Sequence, residues 1–340
     1  MTSTDISTAL APDWTMRPAV LDDAPTVLAL LHAVSLKMVG QLEEDIEGVQ
    51  TDWTAPNFDL AQDTRLVLDS DGQIVGYAIT YLDPPMASQI DIYLQPERWQ
   101  TDSVTEPYLL DWAMRRATDA IERAPDGMRV VVNAWMHSHD ARYGAMLSSV
   151  GMSAVRRGLQ MRIDIDAPPQ PPAPIDAVVI RIAEDGDDRR AVLEAIMDGW
   201  RDHRGYIERD FEERYQNFTH QWKDIYVPGA WILALDGERI VGASLCLPSS
   251  GGDATIGYVS MLSVRRAYRR RGIALALLRA SFVALYGMGC RRAILGVDAA
   301  SLTGATKLYE KAGMVIDFSY TMYERELRPG YNPAVTSLDA

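Results

Sequence analysis

Two halves of this sequence carry the same landmarks in the same order. Three pairs of residues are separated by 164, 166 and 162 positions: Arg17 and Arg181, Gly76 and Gly242, and Gly151 and Gly313. The stretches around the glycines are alike, since "DGQIVGYAI" matches "DGERIVGASL" and "MLSSVGM" matches "LYEKAGM". A period of this length is that of a whole domain and is far longer than a solenoid repeat. The chain is therefore predicted to fold as two copies of one domain.

A proline-rich segment, "DAPPQPPAPIDA", separates the two halves. Proline disfavours helices and strand ladders, so such a segment is typical of an extended, semi-rigid spacer. A length of 340 residues also fits two domains of ordinary size. The predicted organisation is a tail, a first domain, a spacer, a second domain and a final tail, at residues 1–14, 15–166, 167–177, 178–328 and 329–340.

Each half alternates apolar runs, turn signals and helical stripes. The order predicts a strand, one or two helices, a three-strand meander, a helix, a strand, a helix and a closing pair of strands. In the second half we expect strands near 178–183, 231–235, 240–247, 255–264 and 293–297, helices at 273–286 and 303–312, and further strands after Met314. Asp-Gly pairs predict hairpin turns, and Gly287 and Gly313 are expected to end helices in the left-handed conformation. The predicted class is α+β, with one mixed, mostly antiparallel sheet in each half and helices on its faces in a three-layer α/β arrangement.

The composition argues against several classes of function. A formal net charge of −14 and a pI near 4.8 disfavour binding to nucleic acid over the whole surface, which requires many Lys and Arg on phosphates. The sequence has no apolar run of membrane-spanning length and no secretory leader pattern, so a soluble, cytoplasmic protein is expected. Cys246 and Cys290 are too few for a disulfide framework and fit a reducing compartment.

Five arginines stand directly before an apolar helix in "SVRRAYRRRGIALALLRASF". Three interpretations compete: a solvated charge run, a nucleic-acid patch, or a loop that holds one small, highly charged anion. The first N–H groups of a helix have no intrahelical partner, and Gly272 permits a positive φ and the close approach of a ligand. Arginine side chains would add charge-assisted contacts to phosphate. The loop by itself does not decide between the solvated run and the anion site.

Two motifs together resemble the GNAT family of N-acetyltransferases. In that family a strand is followed by a Gln/Arg-x-x-Gly-x-Gly/Ala loop and a helix, a pattern that Arg269, Gly272 and Ala274 match. At the expected distance, "VDAASLTGATKLYEKAGM" resembles the second family segment, Asp-x-x-Asn-Pro-Thr-Gly-Ala-x-x-Leu-Tyr-x-x-x-Gly-Phe/Met. The resemblance is strong over residues 178–325 and weak over 15–165. It implies two tandem GNAT folds, in a layout similar to that of mycothiol synthase.

The resemblance also implies acetyl-CoA as co-substrate and a role for each matching position. Two groups of residues would bind it: Leu262, Ser263 and Val264 at the pantetheine arm, and Arg269, Arg270, Arg271, Gly272, Ile273, Ala274 and Leu275 at the pyrophosphate. Ser301 would add a contact, although it stands where the family has Asn, and Leu302 stands where the family has Pro. Tyr309 would protonate the departing thiolate. The alternative for Tyr309 is a core aromatic residue on an amphipathic helix.

The first half departs from this pattern. Its corresponding loop and helix, "LQPERWQTDSVTEPYLLDWAMRRA", contain no glycine and place Pro107 near the helix start. Leu147 stands at the position that corresponds to Tyr309. The first half is therefore expected to be a copy of the fold that does not catalyse and that binds acetyl-CoA poorly or not at all.

A segment dense in aromatic and acidic residues, "DGWRDHRGYIERDFEERYQNFTHQW", precedes the meander of the second half. It is either a wall of the acceptor site or an ordinary helix pair with a solvated charged face. In the first case a cationic amine could be attracted or deprotonated by one of four residues: Glu208, Asp210, Glu212 or His220. Asp298 is another candidate base. The "HSH" at 137–139 has no Cys or His partner close in sequence, so no metal is expected.

These observations predict an acetyl-CoA-dependent N-acetyltransferase that moves an acetyl group to a primary amine, with catalysis in the second domain. The expected acceptor is a small molecule or a peptide, and a monomer or homodimer without nucleic-acid or membrane partners is expected. Two alternatives remain, a non-catalytic acetyl-CoA sensor or interaction protein and a mycothiol-synthase-like acetyltransferase. Tyr309 favours an enzyme, because a sensor needs no acid for a leaving thiolate.

Overall fold

The computed structural model describes residues 10–183, 188–332 and 334–335, with the backbone alone for 220–225. The predicted first tail therefore lies mostly outside the described residues, as does part of the final one. Contacts divide the chain into two compact units. The first comprises Met1–Arg156 and Tyr320–Asn332, and the second comprises Arg157–Ser319 and Pro333–Ala340.

The first unit is a sheet with helices packed on it. Its strands are β1 (Thr15–Arg17), β2 (Thr64–Leu68), β3 (Ile74–Tyr81), β4 (Ala87–Leu94), β5 (Val130–His137) and residues 320–328 of the last strand, β12 (Val315–Arg328). Its helices are α1 (Ala24–Val39), α2 (Ile46–Trp53), α3 (Leu60–Asp63), α4 (Thr105–Ala117), α5 (Ala120–Arg123) and α6 (Ala141–Ser149). The sheet order is β1-β2-β3-β4-β5-β12, and all pairs are antiparallel except β4 with β5.

The second unit repeats this plan. Its strands are residues 157–164 of β6 (Ser153–Asp164), β7 (Val179–Ile182), β8 (Trp231–Asp236), β9 (Arg239–Leu247), β10 (Ile256–Val264) and β11 (Arg292–Asp298). Its helices are α7 (Arg189–Trp200), α8 (Phe211–Ile225), α9 (Ile273–Gly287) and α10 (Ala305–Lys311). The order is β6-β11-β10-β9-β8-β7, and β10 with β11 is the parallel pair. The predicted α+β class with tandem, mostly antiparallel sheets is confirmed.

Each half of the sequence completes the sheet of the other half. The last strand of the first half, β6, pairs with β11 from Gly158 opposite Asp298 to Asp164 opposite Arg292. The last strand of the second half, β12, pairs with β5 along residues 320–328. The compact units therefore differ from the predicted domains 15–166 and 178–328 by these exchanged segments. The predicted closing pair of strands is also corrected, since one long strand, β12, follows Met314.

Landmark glycines of the repeat mark close contacts between strand and helix. A Cβ on Gly76 would lie 2.9 Å from Cγ2 of Thr105, at the start of α4. A Cβ on Gly242 would lie 2.9 Å from the Ser263 carbonyl oxygen and 3.0 Å from Cδ1 of Leu277 in α9. Both halves thus keep a glycine on the strand where the helix packs against the sheet, because any side chain would force the two apart.

Turn chemistry follows the sequence closely. The two predicted Asp-Gly hairpins are present, with Gly72 and Gly237 at φ of 74° and 57°. Gly313 follows α10 at φ of 97°, as predicted for a left-handed helix end. The prediction for Gly287 is wrong: it is the last residue of α9, and Gly289 takes the left-handed conformation at φ of 102°.

The helix that follows the arginine run begins directly after Gly272. On α9 the side chains of Leu278, Phe282 and Leu285 are buried at helical spacing, as an apolar stripe predicts. In the described part of the chain no helix is both long enough and apolar enough to cross a bilayer.

Candidate active site

The two parallel strands of the second unit separate part-way along their length. Their register joins Ile256 with Arg292, Gly257 with Ala293 and Tyr258 with Ile294. A β-bulge between Val259 and Met261 interrupts the pairing of β10 with β9 at the same level. Bulges bend a strand and increase its twist. Beyond the bulge, one edge of β10 therefore borders an opening rather than a neighbouring strand.

Backbone groups of Leu262 and Val264 point into this opening. The Arg265 N–H donates to the Val241 carbonyl at 2.8 Å, so Arg265 and every second residue before it bond to β9. The residues between them present N–H and C=O groups to the opposite edge, where an extended amide-containing arm could pair like an added strand. The Ser263 side chain is buried and donates to the Ala195 and Ile196 carbonyls of α7, so it does not face the opening.

The start of α9 is an open cradle of N–H groups. Gly272 has φ of 82° and Arg270 has φ of 60°, so left-handed residues alternate with Arg271, a geometry that makes N–H groups converge. No side chain caps the helix, and Ala276 is the first helical residue that donates to a backbone carbonyl, that of Gly272 at 3.1 Å. A Cβ on Gly272 would meet nothing within 4 Å among the described residues. This geometry suits an anion such as a pyrophosphate.

The arginines before the cradle divide into two groups. Arg265, Arg266 and Arg269 bind the protein itself. Arg265 Nε donates to the Ile240 carbonyl at 2.8 Å, Arg266 pairs with Asp202, and Arg269 pairs with Asp202 and donates to the Gly199 carbonyl at 2.7 Å. The Arg269 guanidinium is thus held by protein groups, and its predicted contact with pyrophosphate stays a prediction.

The other two arginines have fewer protein partners. Arg270 is exposed and forms no ion pair among the described residues. Arg271 lies over the Tyr268 ring at 5.4 Å and donates to the Asp176 carbonyl at 3.1 Å, which leaves further donors of its guanidinium available. Three of the five arginines thus stabilise the loop, and the side chains of Arg270 and Arg271 keep donors that no described protein group uses.

Asp202 connects the cradle to α7. Its carboxylate binds both Arg266 and Arg269, and its side chain is only 13% exposed. Burial raises the pKa of Asp202, but the two guanidinium groups lower it by more, so the net shift is downward. The carboxylate therefore stays ionised and holds the loop in place at neutral pH.

Tyr309 lies on α10 with its ring in the core of the second unit. The residue is 8% exposed and belongs to the same apolar cluster as Val259 and Met261 at the bulge of β10. Its hydroxyl makes no hydrogen bond to the described residues. Burial raises the pKa of Tyr309 to about 12. The hydroxyl is therefore a protonated donor at neutral pH.

The turn before α10 is stabilised by its own side chains. The Ser301 hydroxyl accepts from the Ala305 N–H at 3.3 Å and lies 3.1 Å from the Thr303 hydroxyl. Asp298 accepts from the Ala300 N–H at 2.7 Å. The Ser301 hydroxyl thus caps the helix, and no contact that the structure shows directs it toward the cradle.

The other candidate bases have structural partners too. Glu212 pairs with Arg190, and Asp210 accepts from the Glu213 N–H at the start of α8. Glu208 lies 3.5 Å from the Arg201 guanidinium. The side chain of His220 lies outside the described residues. The arrangement does not single out a base from the four.

In its described part the first unit has no such cradle, because a carboxylate binds the N–H groups at the start of α4. At the start of α4, Oδ1 of Asp102 accepts from the N–H groups of Val104 and Thr105, both at 2.9 Å. Pro107 has no N–H group to offer. A protein carboxylate thus occupies the place where the second unit leaves N–H groups free. Leu147, at the position of Tyr309, is fully buried.

The histidines of "HSH" lie close to each other and to Glu43. His137 Nε2 lies 3.0 Å from Oε2 of Glu43, and the ring centroid of His139 is 5.9 Å from that of His137. Throughout the described ranges, no group of three His, Cys, Asp or Glu side chains is arranged to hold a metal ion.

A parted pair of parallel strands, an uncapped glycine-started helix and a tyrosine on the next helix are the marks of an acyl-CoA-binding acetyltransferase fold. Residues 191–314 match the model of the acetyltransferase (GNAT) family. An N-alpha-acetyltransferase 30 of Schizosaccharomyces pombe is 31% identical over 113 residues, which are 32% of this chain and 71% of that protein. This chain belongs to the GNAT family of acetyltransferases.

Other relatives extend this likeness. The N-alpha-acetyltransferase 30 of Xenopus laevis is 34% identical over 112 residues, and the match spans 33% of this chain and 41% of that protein's length. A GCN5-related N-acetyltransferase from Sphaerobacter thermophilus has a TM-score of 0.79 and 29% identity, covering 95% of this chain and 99% of that one. A tandem GNAT protein from the clavulanic acid biosynthesis pathway has the same fold, with a TM-score of 0.64 at 14% identity over 94% of this chain and 100% of its own.

Proposed function

We propose that the protein is an acetyl-CoA-dependent N-acetyltransferase whose second unit binds acetyl-CoA and transfers its acetyl group to a primary amine. The observation that carries the proposal is the uncapped start of α9 at Gly272, next to the open edge of β10. Membership of the GNAT family supports it.

The residues suit each step of this transfer. The cradle and Arg270 would hold the pyrophosphate, and Leu262 and Val264 would pair with the pantetheine amides. The amine nitrogen attacks the thioester carbon, the carbon–sulfur bond breaks, and the Tyr309 hydroxyl gives its proton to the departing sulfur. The attacking nitrogen loses a proton to water or a base, and Tyr309 regains one from solvent. A positioned acid of this kind lowers the barrier for loss of the thiolate.

The acceptor that we propose is an α-amine, on a peptide or a small molecule. The curated relatives named above are N-alpha-acetyltransferases, which supports this class of amine. Release of free CoA thiol with a panel of peptides bearing free or blocked α-amines tests the proposal directly. Thiol release that requires a free α-amine is expected, and release independent of any amine would contradict it.

We expect one strong acetyl-CoA site per chain. In the second unit the N–H groups at the start of α9 are free, whereas in the first unit Asp102 occupies the corresponding groups. Calorimetric titration of the full chain should therefore give a stoichiometry near one. The full chain is required, because cutting it in the spacer would remove a strand from each sheet. Two sites of similar affinity would contradict the assignment, and Asp102→Asn is a control that should leave the strong site unchanged.

A further inference from the structure

The first unit contains a pocket that the acetyl transfer does not use. It lies where β4 and β5 separate, between α1 and α6, and is a cavity of about 70 Å³ that is open to solvent. The parallel register of these strands covers only Ala87–Gln89 with Val131–Asn133, so the opening is the counterpart of the one beside β10.

The pocket is acidic. Three carboxylates line it, those of Asp91, Glu106 and Asp140, against one arginine, Arg142. Arg142 pairs with the buried Glu106 and lies 3.3 Å from Asp140. Asp91 has no cationic partner among the described residues, and its one hydrogen bond comes from the Gln89 amide at 2.8 Å. Burial, with a further contribution from Asp52, raises the pKa of Asp91 to about 6, as expected for a carboxylate that lacks a counter-ion.

A buried hydroxyl in the same pocket has no hydrogen-bond partner of normal geometry among the described residues. Tyr143 is 6% exposed, and its hydroxyl oxygen makes no hydrogen bond of normal geometry with the described residues. Burial raises its pKa strongly, and the backbone of Ile92 lowers it by a smaller amount. An unpaired hydroxyl in the interior costs free energy unless a ligand or water satisfies it. The Tyr143 hydroxyl is therefore available to a polar group of a ligand or to water.

The walls suit an organic cation. Tyr93, Trp99 and Trp135 line the pocket beside the apolar side chains of Val34 and Met38. The Arg142 guanidinium already lies 4.8 Å from the centroid of the Trp99 ring, which shows that this wall attracts positive charge. Aromatic rings next to an unpaired carboxylate are the usual surroundings of a bound ammonium group.

The same features exclude an acyl-CoA in this place. Asp102 caps the start of α4, Glu106 lies in its first turn, and Pro107 follows. A pyrophosphate here would find carboxylates in place of N–H donors. Among its described residues the first unit therefore has no counterpart of the anion site and has an acidic pocket in the adjoining opening.

We propose that the pocket between β4 and β5 is a binding site for a small organic amine, whose ammonium group pairs with Asp91 and whose body lies against Trp99, Trp135 and Tyr93. The Tyr143 hydroxyl donates to, or accepts from, a second polar group of the ligand. This site is separate from acetyl transfer and remains if the acceptor of the second unit proves to be something else.

Benzylamine, which is protonated at neutral pH, and its neutral isostere benzyl alcohol are suitable probes. Calorimetric titration of the full chain should show saturable binding of benzylamine and binding of benzyl alcohol weaker by about tenfold or more, the cost of losing one charge-assisted contact. Asp91→Asn preserves the side-chain volume and should weaken the binding of benzylamine by a similar factor. Tyr143→Phe removes only the unpaired hydroxyl, so it serves as a second pocket variant that should fold normally and bind benzylamine with at most a small loss.

Two matched controls separate this site from the one in the second unit. Asp71→Asn removes an exposed carboxylate of the same unit outside the pocket and should change nothing. Gly272→Glu, which targets the acetyl-CoA cradle, should leave benzylamine binding intact. The proposal is overturned if benzylamine does not bind, if benzyl alcohol binds equally well, if Asp91→Asn has no effect, or if acetyl-CoA displaces benzylamine from the Gly272→Glu variant.

Discussion

Replacement of Gly272 by glutamate is expected to abolish acetyl-CoA binding while the fold persists. Gly272 has φ of 82°, and the direction of its missing side chain is open, so a new side chain enters the space above the N–H groups instead of the protein core. A glutamate there fills the cradle and places a negative charge beside the pyrophosphate. We expect a loss of several kcal/mol, about a thousandfold or more in affinity. Calorimetric titration with acetyl-CoA measures it.

The matched control is Gly272→Ala. Both variants place a side chain at a left-handed φ, which costs about 1 kcal/mol of stability, so their thermal melting without ligand should be similar. Alanine adds no charge and little bulk and should therefore retain part of the affinity. Near wild-type binding by Gly272→Glu would show that the start of α9 is not the pyrophosphate site.

Removal of the Tyr309 hydroxyl is expected to slow turnover by on the order of 10² to 10⁴, the usual contribution of a general acid. Tyr309→Phe retains the buried ring, and the hydroxyl makes no hydrogen bond to the described residues, so stability should change little. The dissociation constant of acetyl-CoA should also stay nearly constant, because the proton moves only as the thiolate departs. Steady-state rates and calorimetry together separate the two effects.

Burial keeps this acid protonated across the range of ordinary assays, since the pKa of Tyr309 lies at about 12. Tyr286→Phe, on the neighbouring helix α9, is the matched control and should turn over like the wild type. If Tyr309→Phe remains within about threefold of the wild-type rate, far short of the loss expected for a general acid, water or another residue supplies the proton.

The elements of the second half could be predicted because their signals are local. The strand predicted at 240–247 is observed as Arg239–Leu247, and the helix predicted at 273–286 as Ile273–Gly287. These signals are apolar periodicity and turn residues, which are read within a short window. Gly287 shows the limit of such signals, because two glycines stand within three positions and local sequence does not decide which becomes left-handed.

The partner of a strand is not a local property. In β6 the buried side chains of Leu159 and Met161 alternate as in any strand, and the pattern suits either sheet. The pairing with β11 decides which sheet β6 joins, and the residues of β11 lie more than a hundred positions away in the sequence. The exchanged strands could therefore not be predicted from the repeat, which suggested two separate domains.

The candidate site was predicted where a backbone pattern defines it, and less well where side chains choose among partners. Gly272 and the alternation at Leu262 and Val264 follow from the strand–loop–helix motif. The partners of the arginine side chains do not follow from this motif. Adjacent identical side chains give no indication of which of them binds Asp202. The acidic pocket beside Asp91 had no sequence signal at all, since its members are spread over α1, β4, β5 and α6.

The exchanged strands also determine the order in which the two units can fold during translation. Domains commonly fold as they leave the ribosome, the earliest part first. Here the first unit is translated first, yet its sheet must wait for residues 320–328, which emerge after nearly all of the second unit. In contrast, strand β6, which pairs with β11 in the second unit, has already been synthesised when β11 emerges. The older half of the nascent chain should therefore reach its native state last, and during synthesis it presents an unpaired edge along β5 that is vulnerable to chaperone capture and to misassociation.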